Sequence, residues 1–321
     1  MHVWPSLKCV LGRAEVSMGS GTKSLVRSFP RIQGRLLFDE PMSLHTSFRI
    51  GGPVDIFAVP GDVSDLQALR RWANSESVPF FILGAGTNLL VSDRGIRGLV
   101  VQLGPGFDRI HIKGSKLRAG ATARLSRVVR RSLGRGLRGL EGLAGIPGTI
   151  GGAICMNAGT PSGCIKDTLA TVTAMDADGE LRELAASDLE LRYRGSVILD
   201  SGLIVLEAAF NLRSESLADI NGILKALLSN RKRTQPIGVG TAGSVFKNPP
   251  DGYAGQLLEA VGAKGMQIGG ARVSSKHANF IENTGTATAE DVRRLIAAIQ
   301  RLVMDKFGVA LETEIQLVGE W

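Results

Sequence analysis

Cysteine is scarce in this chain, and what little there is has no pattern. Cys9, Cys155 and Cys164 are the only three in 321 residues. Their spacing suggests neither pairing nor metal ligation, which points to reduced thiols in a reducing compartment. Four scattered histidines, His2, His45, His111 and His277, argue against a dedicated metal centre. Aromatic residues make up 5% of the chain and no nucleic-acid motif is present, so the +8 formal charge is not read as a nucleic-acid footprint. No apolar run approaches the roughly 20 residues needed to cross a bilayer, and no secretory signal opens the chain. A cytoplasmic protein without membrane insertion is expected. Acidic residues are nearly missing from the first 35 positions, where Lys8, Arg13, Lys23, Arg27, Arg31 and Arg35 face only Glu15. That stretch reads as a disordered basic extension, with Met18 as an alternative start.

What is present is ordinary globular composition, 44% hydrophobic and 21% charged. The length calls for more than one domain. Strands are expected at Asp55–Pro60, Phe80–Leu83 and Leu99–Leu103, with a helix opened by a Ser64/Gln67 capping box and running through Trp72. A hairpin is expected around Gly114-Ser115, and a helix over Arg124–Leu133. The stretch Gly139–Gly159 reads as too glycine-rich for a helix. A second hairpin turns at Asp178-Gly179, Ser187 and Glu190 cap a short helix, and Leu203–Leu212 forms a buried strand. Composition then changes before the amphipathic helix Ser216–Arg233. A helix over Tyr253–Val261, a strand over Ala278–Glu282, a helix opened by Thr288 and Asp291, and a strand over Ala310–Val318 complete the chain. The fold class is α+β.

Two glycine motifs are decoys. Gly134-Arg135-Gly136-Leu137-Arg138-Gly139 matches G-x-G-x-x-G, but a helix precedes it and coil follows, the reverse of a dinucleotide fingerprint. Gly21-Thr22-Lys23-Ser24 lacks the glycine that a P-loop needs before its lysine. A stronger signal is Gly84-Ala85-Gly86-Thr87-Asn88-Leu89-Leu90. It leaves a strand, so its backbone N–H groups can form an anion-binding concavity, although a plain strand-exit turn is the rival reading. A second loop, Gly145-Ile146-Pro147-Gly148-Thr149-Ile150-Gly151-Gly152, followed by Asn157-Ala158-Gly159, adds room for close backbone approach to a long cofactor.

These loops occur in order with Arg49-Ile50-Gly51-Gly52-Pro53, Tyr193-Arg194-Gly195-Ser196, Gly243-Ser244-Val245-Phe246-Lys247-Asn248-Pro249, His277-Ala278-Asn279-Phe280-Ile281 and Leu311-Glu312-Thr313-Glu314. From about Leu36 onward the set resembles the UDP-N-acetylenolpyruvoylglucosamine reductases (UDP-N-acetylmuramate dehydrogenases). Within them it is similar to the shorter subclass, which lacks a tyrosine-bearing insertion. Thr87 stands where the family commonly has Ser.

The resemblance implies an FAD-binding module of the vanillyl-alcohol-oxidase type and a smaller α+β substrate domain. Residues 1–35 would be the extension, 36–213 the FAD-binding region split near 105, and 214–321 the substrate-binding domain, whose last strand returns to the active site. FAD would be held non-covalently by Gly84, Ala85, Gly86, Thr87, Asn88, Leu89, Gly145, Ile146, Gly148, Gly151, Gly152, Asn157 and Gly159. NADPH would be the co-substrate and a UDP-sugar the substrate. Ser244 would be the proton donor, Arg194 a carboxylate clamp, and Glu314 rather than Glu312 the active-site acid. Tyr193, Lys247 and Asn248 would hold the substrate. A monomer without nucleic-acid or metal partners is expected. The rival readings are a flavin oxidase of the same superfamily and an inactive nucleotide-sugar-binding protein.

Overall fold

The computed structural model describes residues 28–321, so the basic segment before Ser28 lies outside the described residues, as does the P-loop-like Gly21–Ser24. In chain order the first strands are β1 (Arg35–Pro41) and β2 (Pro53–Val59), followed by helix α1 (Val63–Ser75). Then come β3 (Phe80–Leu83), β4 (Leu89–Val91) and β5 (Ile96–Gln102). The hairpin β6 (Ile110–Lys113) and β7 (Lys116–Gly120) turns at Gly114-Ser115 and leads to α2 (Leu125–Leu133) and α3 (Ile150–Cys155). A second hairpin, β8 (Leu169–Met175) and β9 (Leu181–Ala185), precedes β10 (Ile204–Asn211) and α4 (Leu217–Thr234). The C-terminal part holds α5 (Ala254–Ala260), β11 (Gln267–Ile268), β12 (Ala271–Val273), β13 (Ile281–Asn283), α6 (Ala289–Phe307) and β14 (Gln316–Val318).

The first sheet runs β1-β2-β5-β3, with β2 and β3 parallel to β5 and β1 antiparallel at the edge. The second is antiparallel throughout, in the order β9-β8-β10-β7-β6. Both sheets bury apolar faces in one core, where Leu66 and Leu69 of α1 meet Leu99, Leu117, Val128, Ile154 and Phe210. A third sheet, β11-β12-β13, packs with α5 and α6 into a separate core that draws in Phe48, Ile50 and Leu90 from the N-terminal half. Helices and strands mix as the α+β reading requires.

Several local expectations need correction. Helix α1 starts one residue before Ser64, capped by Asp62, whose carboxylate accepts from Asp65 N at 3.0 Å. An acceptor before the first turn satisfies an otherwise unpaired amide as well as serine does. Residues 28–35 are not a free extension. Phe29 packs edge-on to Trp72 at 4.6 Å, and Trp72 Nε1 donates to Ser28 Oγ. The buried Asp65 carboxylate accepts from the amides of Gln33, Gly34 and Gly61. The glycine-rich stretch does contain a helix, α3, because Ile150 and Ile154 bury fully on one side. Ser187 and Glu190 do not cap the 3₁₀ turn Ala186–Leu189: Asp188 accepts from Ala185 N, and Glu190 leaves it at φ 45°. Strand β13 starts at Ile281 rather than Ala278, since Ala278–Phe280 turn against the Ser244 loop. The last strand is only Gln316–Val318, parallel to β4.

Other readings hold. The decoy glycines are a helix end: Gly134 caps α2, and Gly136 and Gly139 take φ of 68° and 129°. Thr288 and Asp291 form a reciprocal capping box on α6. Asp93 adds two acceptors to the same helix start, for Ala289 N and Glu290 N, tying the C-terminal unit to the first sheet.

Candidate active site

Glu314 is the point on which the separate motifs converge. The stretch after α6 runs antiparallel to the Ser244 loop: Glu314 N donates to Val245 O at 2.7 Å, Lys247 N donates to Glu312 O at 2.9 Å, and Phe246 bridges Thr313. From the Gly84 loop, Asn88 Nδ2 donates to Glu314 O at 3.0 Å, and Gln316 N returns a bond to Asn88 O. From the third direction, Arg194 Nε donates to Glu314 Oε1 at 2.5 Å. Three glycine- or turn-rich segments, 120 and 226 residues away from Glu314 in the two side-chain bonds, thus meet at one carboxylate.

Exposure separates the two acids: the Glu314 side chain is 15% exposed and that of Glu312 75%. Leu311 and Ile315 are buried, while Glu312 reaches solvent and, among the described residues, pairs with Lys247, Nζ to Oε2 at 3.1 Å. Burial pushes the Glu314 carboxyl above the usual carboxylate range, and the attraction of Arg194 and Lys247 offsets this only in part. A carboxyl held high in a cleft beside a fixed guanidinium suits a group that holds or passes protons. Arg194 sits at φ 56°, a left-handed conformation that costs an L-residue about 1–2 kcal/mol. Reciprocal backbone bonds between Arg192 and Gly195 hold that turn, which aims the guanidinium at Glu314. Strain of this kind clusters where a side chain must be presented at a set angle.

Ser244 is half-buried at the head of its loop, after Gly243 at φ 84°, and bridges Phe280. The loop is fixed from behind by Asn279, whose carboxamide accepts from Phe246 N and donates to Phe246 O, and whose backbone oxygen accepts from Val245 N. His277 holds that turn through Nδ1, which accepts from Asn279 N at 3.2 Å. Burial lowers its pKa, in keeping with a scaffold role.

The two glycine loops face each other. A Cβ on Gly84 would meet Thr149 Oγ1 at 3.3 Å, and one on Gly148 would meet Thr87 Oγ1 at 3.3 Å. A Cβ on Gly86, at φ 62°, would lie 2.0 Å from His45 O. Two buried polar atoms border the same region without a hydrogen-bond partner among the described residues. One is Arg231 Nη1, whose side chain lies against Gly145; the other is Thr241 Oγ1, whose backbone is bonded to Ser47 beside Gly86. A close-approach backbone cradle with spare donors fits a phosphorylated, ring-bearing cofactor such as FAD. Gly84–Leu89, Gly145, Ile146, Gly148, Gly151 and Gly152 all belong to these two loops.

Asn157 and Gly159 differ from the rest of the expected cofactor set. Asn157 is buried at φ 40°, and its carboxamide is used at both ends, donating to Arg192 O and accepting from Lys166 N. It fixes the Arg194 turn instead of offering free groups to a ligand. A Cβ on Gly159 would collide with Cys164 at 2.4 Å, so that glycine serves packing. Asn248 has its Oδ1 occupied by Ala254 N and its own amide donated to the Tyr193 hydroxyl. The sequence assigns no role to Arg231 or Thr241, and Asn279 enters only within the His277–Ile281 motif; Arg231 lies on an ordinary amphipathic helix, and nothing in its spacing marks it out.

Comparison with known proteins agrees with this geometry. Residues 235–318 match the family model of the UDP-N-acetylenolpyruvoylglucosamine reductase C-terminal domain, and residues 54–185 match an FAD binding domain. A UDP-N-acetylenolpyruvoylglucosamine reductase of Caldanaerobacter subterraneus subsp. tengcongensis is 46% identical over 90% of this chain and 95% of its own length. The chain belongs to the UDP-N-acetylenolpyruvoylglucosamine reductase family. A second family member, from Symbiobacterium thermophilum, is 42% identical over 92% of this chain and 96% of its own. The crystal structure of the Thermus caldophilus reductase superposes with a TM-score of 0.77 at 32% identity, covering 89% of this chain and 99% of that one. The 6-hydroxy-D-nicotine oxidase of Arthrobacter nicotinovorans, at 14% identity and a TM-score of 0.54 over 85% of this chain and 86% of its own, shares the fold. The flavin-oxidase-type architecture and FAD as cofactor follow from these matches.

Proposed function

We propose that this chain reduces UDP-N-acetylenolpyruvoylglucosamine to UDP-N-acetylmuramate, with NADPH as electron source, as a cytoplasmic step of peptidoglycan precursor synthesis. The observation that carries the reading is the convergence on Glu314 of Arg194, the FAD-loop residue Asn88 and Val245, the neighbour of Ser244. Among the described residues no helix is long and apolar enough to cross a membrane. The domain reading goes with it: a flavin region up to about 213 and a substrate-binding unit from 214, here with residues 28–35 counted in the first.

The substrate carries a carbon–carbon double bond conjugated to a carboxylate. FAD, when bound, supplies the hydride for the methylene carbon. As that bond forms, negative charge moves onto the neighbouring carbon and its carboxylate. Arg194 offers a permanently charged planar fork for that carboxylate, preorganised by its turn and its pair with Glu314. The Ser244 hydroxyl gives its proton to the carbon bearing the charge, completing the saturated lactyl ether. A serine hydroxyl is a weak acid, so the proton it loses must be replaced from nearby. Glu314, with its raised pKa and its backbone bonded to Val245 next to Ser244, is the group placed to hold that reserve.

Lys247 stands at the end of the same loop, where among the described residues its ion pair is with the exposed Glu312. Such a pair is worth little and yields readily to a phosphate. The test is anaerobic: NADPH should bleach the flavin band, and the enolpyruvyl substrate should restore it. Restoration by oxygen alone, with no response to the substrate, would instead indicate the oxidase reading.

A further inference from the structure

The second sheet ends at β6, and among the described residues no strand pairs with its outer side. Gly120 N donates to Arg109 O at 2.8 Å, which marks those two as a hydrogen-bonded cross-strand pair. Alternation along the antiparallel register then turns the backbone amide and carbonyl groups of Ile110 and Ile112 away from β7. A recess of about 400 Å³ runs along this edge, lined by Ile110, His111, Ile112, Arg131 and Arg135. Arg131 Nη1 reaches Ile110 O at 3.4 Å, a long contact that a better donor would replace.

The recess carries one sign of charge. His111 and Lys113 are exposed on one face of β6. Ile110 and Ile112 pack from the other face into the core that also holds Val128 of α2. Arg131 in the last turn of α2 and Arg135 just past it are exposed on that side. Among the described residues Asp108 is paired with Arg127 and Glu207 with Arg118, so neither acid neutralises the recess. Lys113 also stands directly opposite Lys116, and like charges so placed destabilise a strand pair. An anionic neighbour would relieve this.

We propose that the β6 edge is a docking site for an extended acidic segment of another protein, which adds as a further strand and sets its carboxylates on Arg131 and Arg135. In this mode the backbone groups of Ile110 and Ile112 give affinity, and basic side chains on both faces give specificity. Charge of either kind blunts an open edge against aggregation. Charge of a single sign also selects. It turns away a second copy, since β6 paired with itself would set lysine and histidine against the same residues. A bilayer surface or a free anion would leave the open backbone groups unused.

The test titrates the FAD-loaded enzyme into a short fluorescein-labelled peptide of alternating glutamate and valine, read by anisotropy. Saturable binding is expected, with slowed amide hydrogen exchange at Ile110 and Ile112. N-methylation of alternate peptide amides keeps the charge and should abolish binding. The double variant Arg131→Gln/Arg135→Gln should weaken the peptide by about 10- to 100-fold. Its flavin content, melting temperature and turnover should match wild type, which shows that the fold survives. Equal binding by the N-methylated peptide overturns strand addition, as does unchanged affinity in the double variant. Absence of wild-type binding up to about 1 mM, the weakest range worth calling specific, overturns the proposal outright. Binding to phosphatidylglycerol vesicles without peptide binding would overturn it in favour of a lipid surface. Dimerisation that the double variant loses would overturn it in favour of a second copy.

Discussion

Gly86→Val offers a direct check on the flavin cradle, because two costs at this position can be separated. The residue sits at φ 62°, and a Cβ there would stand 2.0 Å from His45 O and 2.9 Å from Thr46 Cα. Both contacts are far inside van der Waals separation, and both are with backbone, which cannot rotate away. Left-handed backbone alone costs an L-residue about 1–2 kcal/mol. Overpacking against fixed neighbours adds about 1–3 kcal/mol. If about 2–4 kcal/mol must be returned to restore the loop for binding, FAD affinity falls roughly 30- to 1,000-fold. Gly114→Val is the matched control: Gly114 has φ 56° and no heavy atom within 4 Å of its notional Cβ, so it carries the backbone cost alone. Flavin content on purification and the FAD dissociation constant would be measured for both. The expected result is a pale Gly86→Val and a fully yellow Gly114→Val. A Gly86→Val enzyme that binds FAD as tightly as wild type would refute the assignment of this loop.

Glu314→Gln should cut the rate of substrate reduction by about 10²–10⁴-fold, whereas Glu312→Ala should change it by no more than a few fold, because Glu312 is exposed. The same Glu314→Gln variant tests the raised pKa. A carboxyl whose folded pKa lies above its unfolded value adds stability at low pH and loses it as pH rises through the folded value. The melting-temperature difference between variant and wild type should therefore shift in favour of glutamine from pH 5 to pH 8. A chain starting at Leu36 should be less stable than one starting at Ser28 by about 2–4 kcal/mol, from the lost aromatic pair and two of the three amide bonds to Asp65; urea titration reads this. Burial pushes the Cys155 thiol up to about 12, so it should resist alkylation in the native protein and react on unfolding.

Much of the architecture was legible because it rests on local signals. The hairpin at Asp178-Gly179, with Asp176 Oδ1 accepting two amides across it, and the Thr288/Asp291 box are written in a few adjacent residues. What escaped depends on distant chain. Asp65 does not announce that it will bind the amides of Gln33 and Gly34, so the segment before β1 read as a free tail. Asp93 serves a helix start 196 residues away. The helix at Ile150–Cys155 was hidden by its own glycines, since propensity favours coil there and only the packing of Ile150 and Ile154 reverses it. In the proposed site, the family resemblance of the ordered motifs offered Ser244, Arg194 and Glu314 as candidates. It could not show that Asn157 is spent on scaffolding, because a side chain's partners are set by the fold around it.

The central claim is that Ser244 supplies the proton for reduction of the enolpyruvyl group and has no part in the transfer from NADPH. Anaerobic stopped-flow absorbance at the flavin band, on wild type and Ser244→Ala, reads the two halves separately. The account predicts bleaching by NADPH at matching rates in both enzymes, and recovery on adding the enolpyruvyl substrate that is about 10²–10⁴-fold slower in the variant. Equal slowing of both halves, or of neither, would contradict it and leave Ser244 a turn residue.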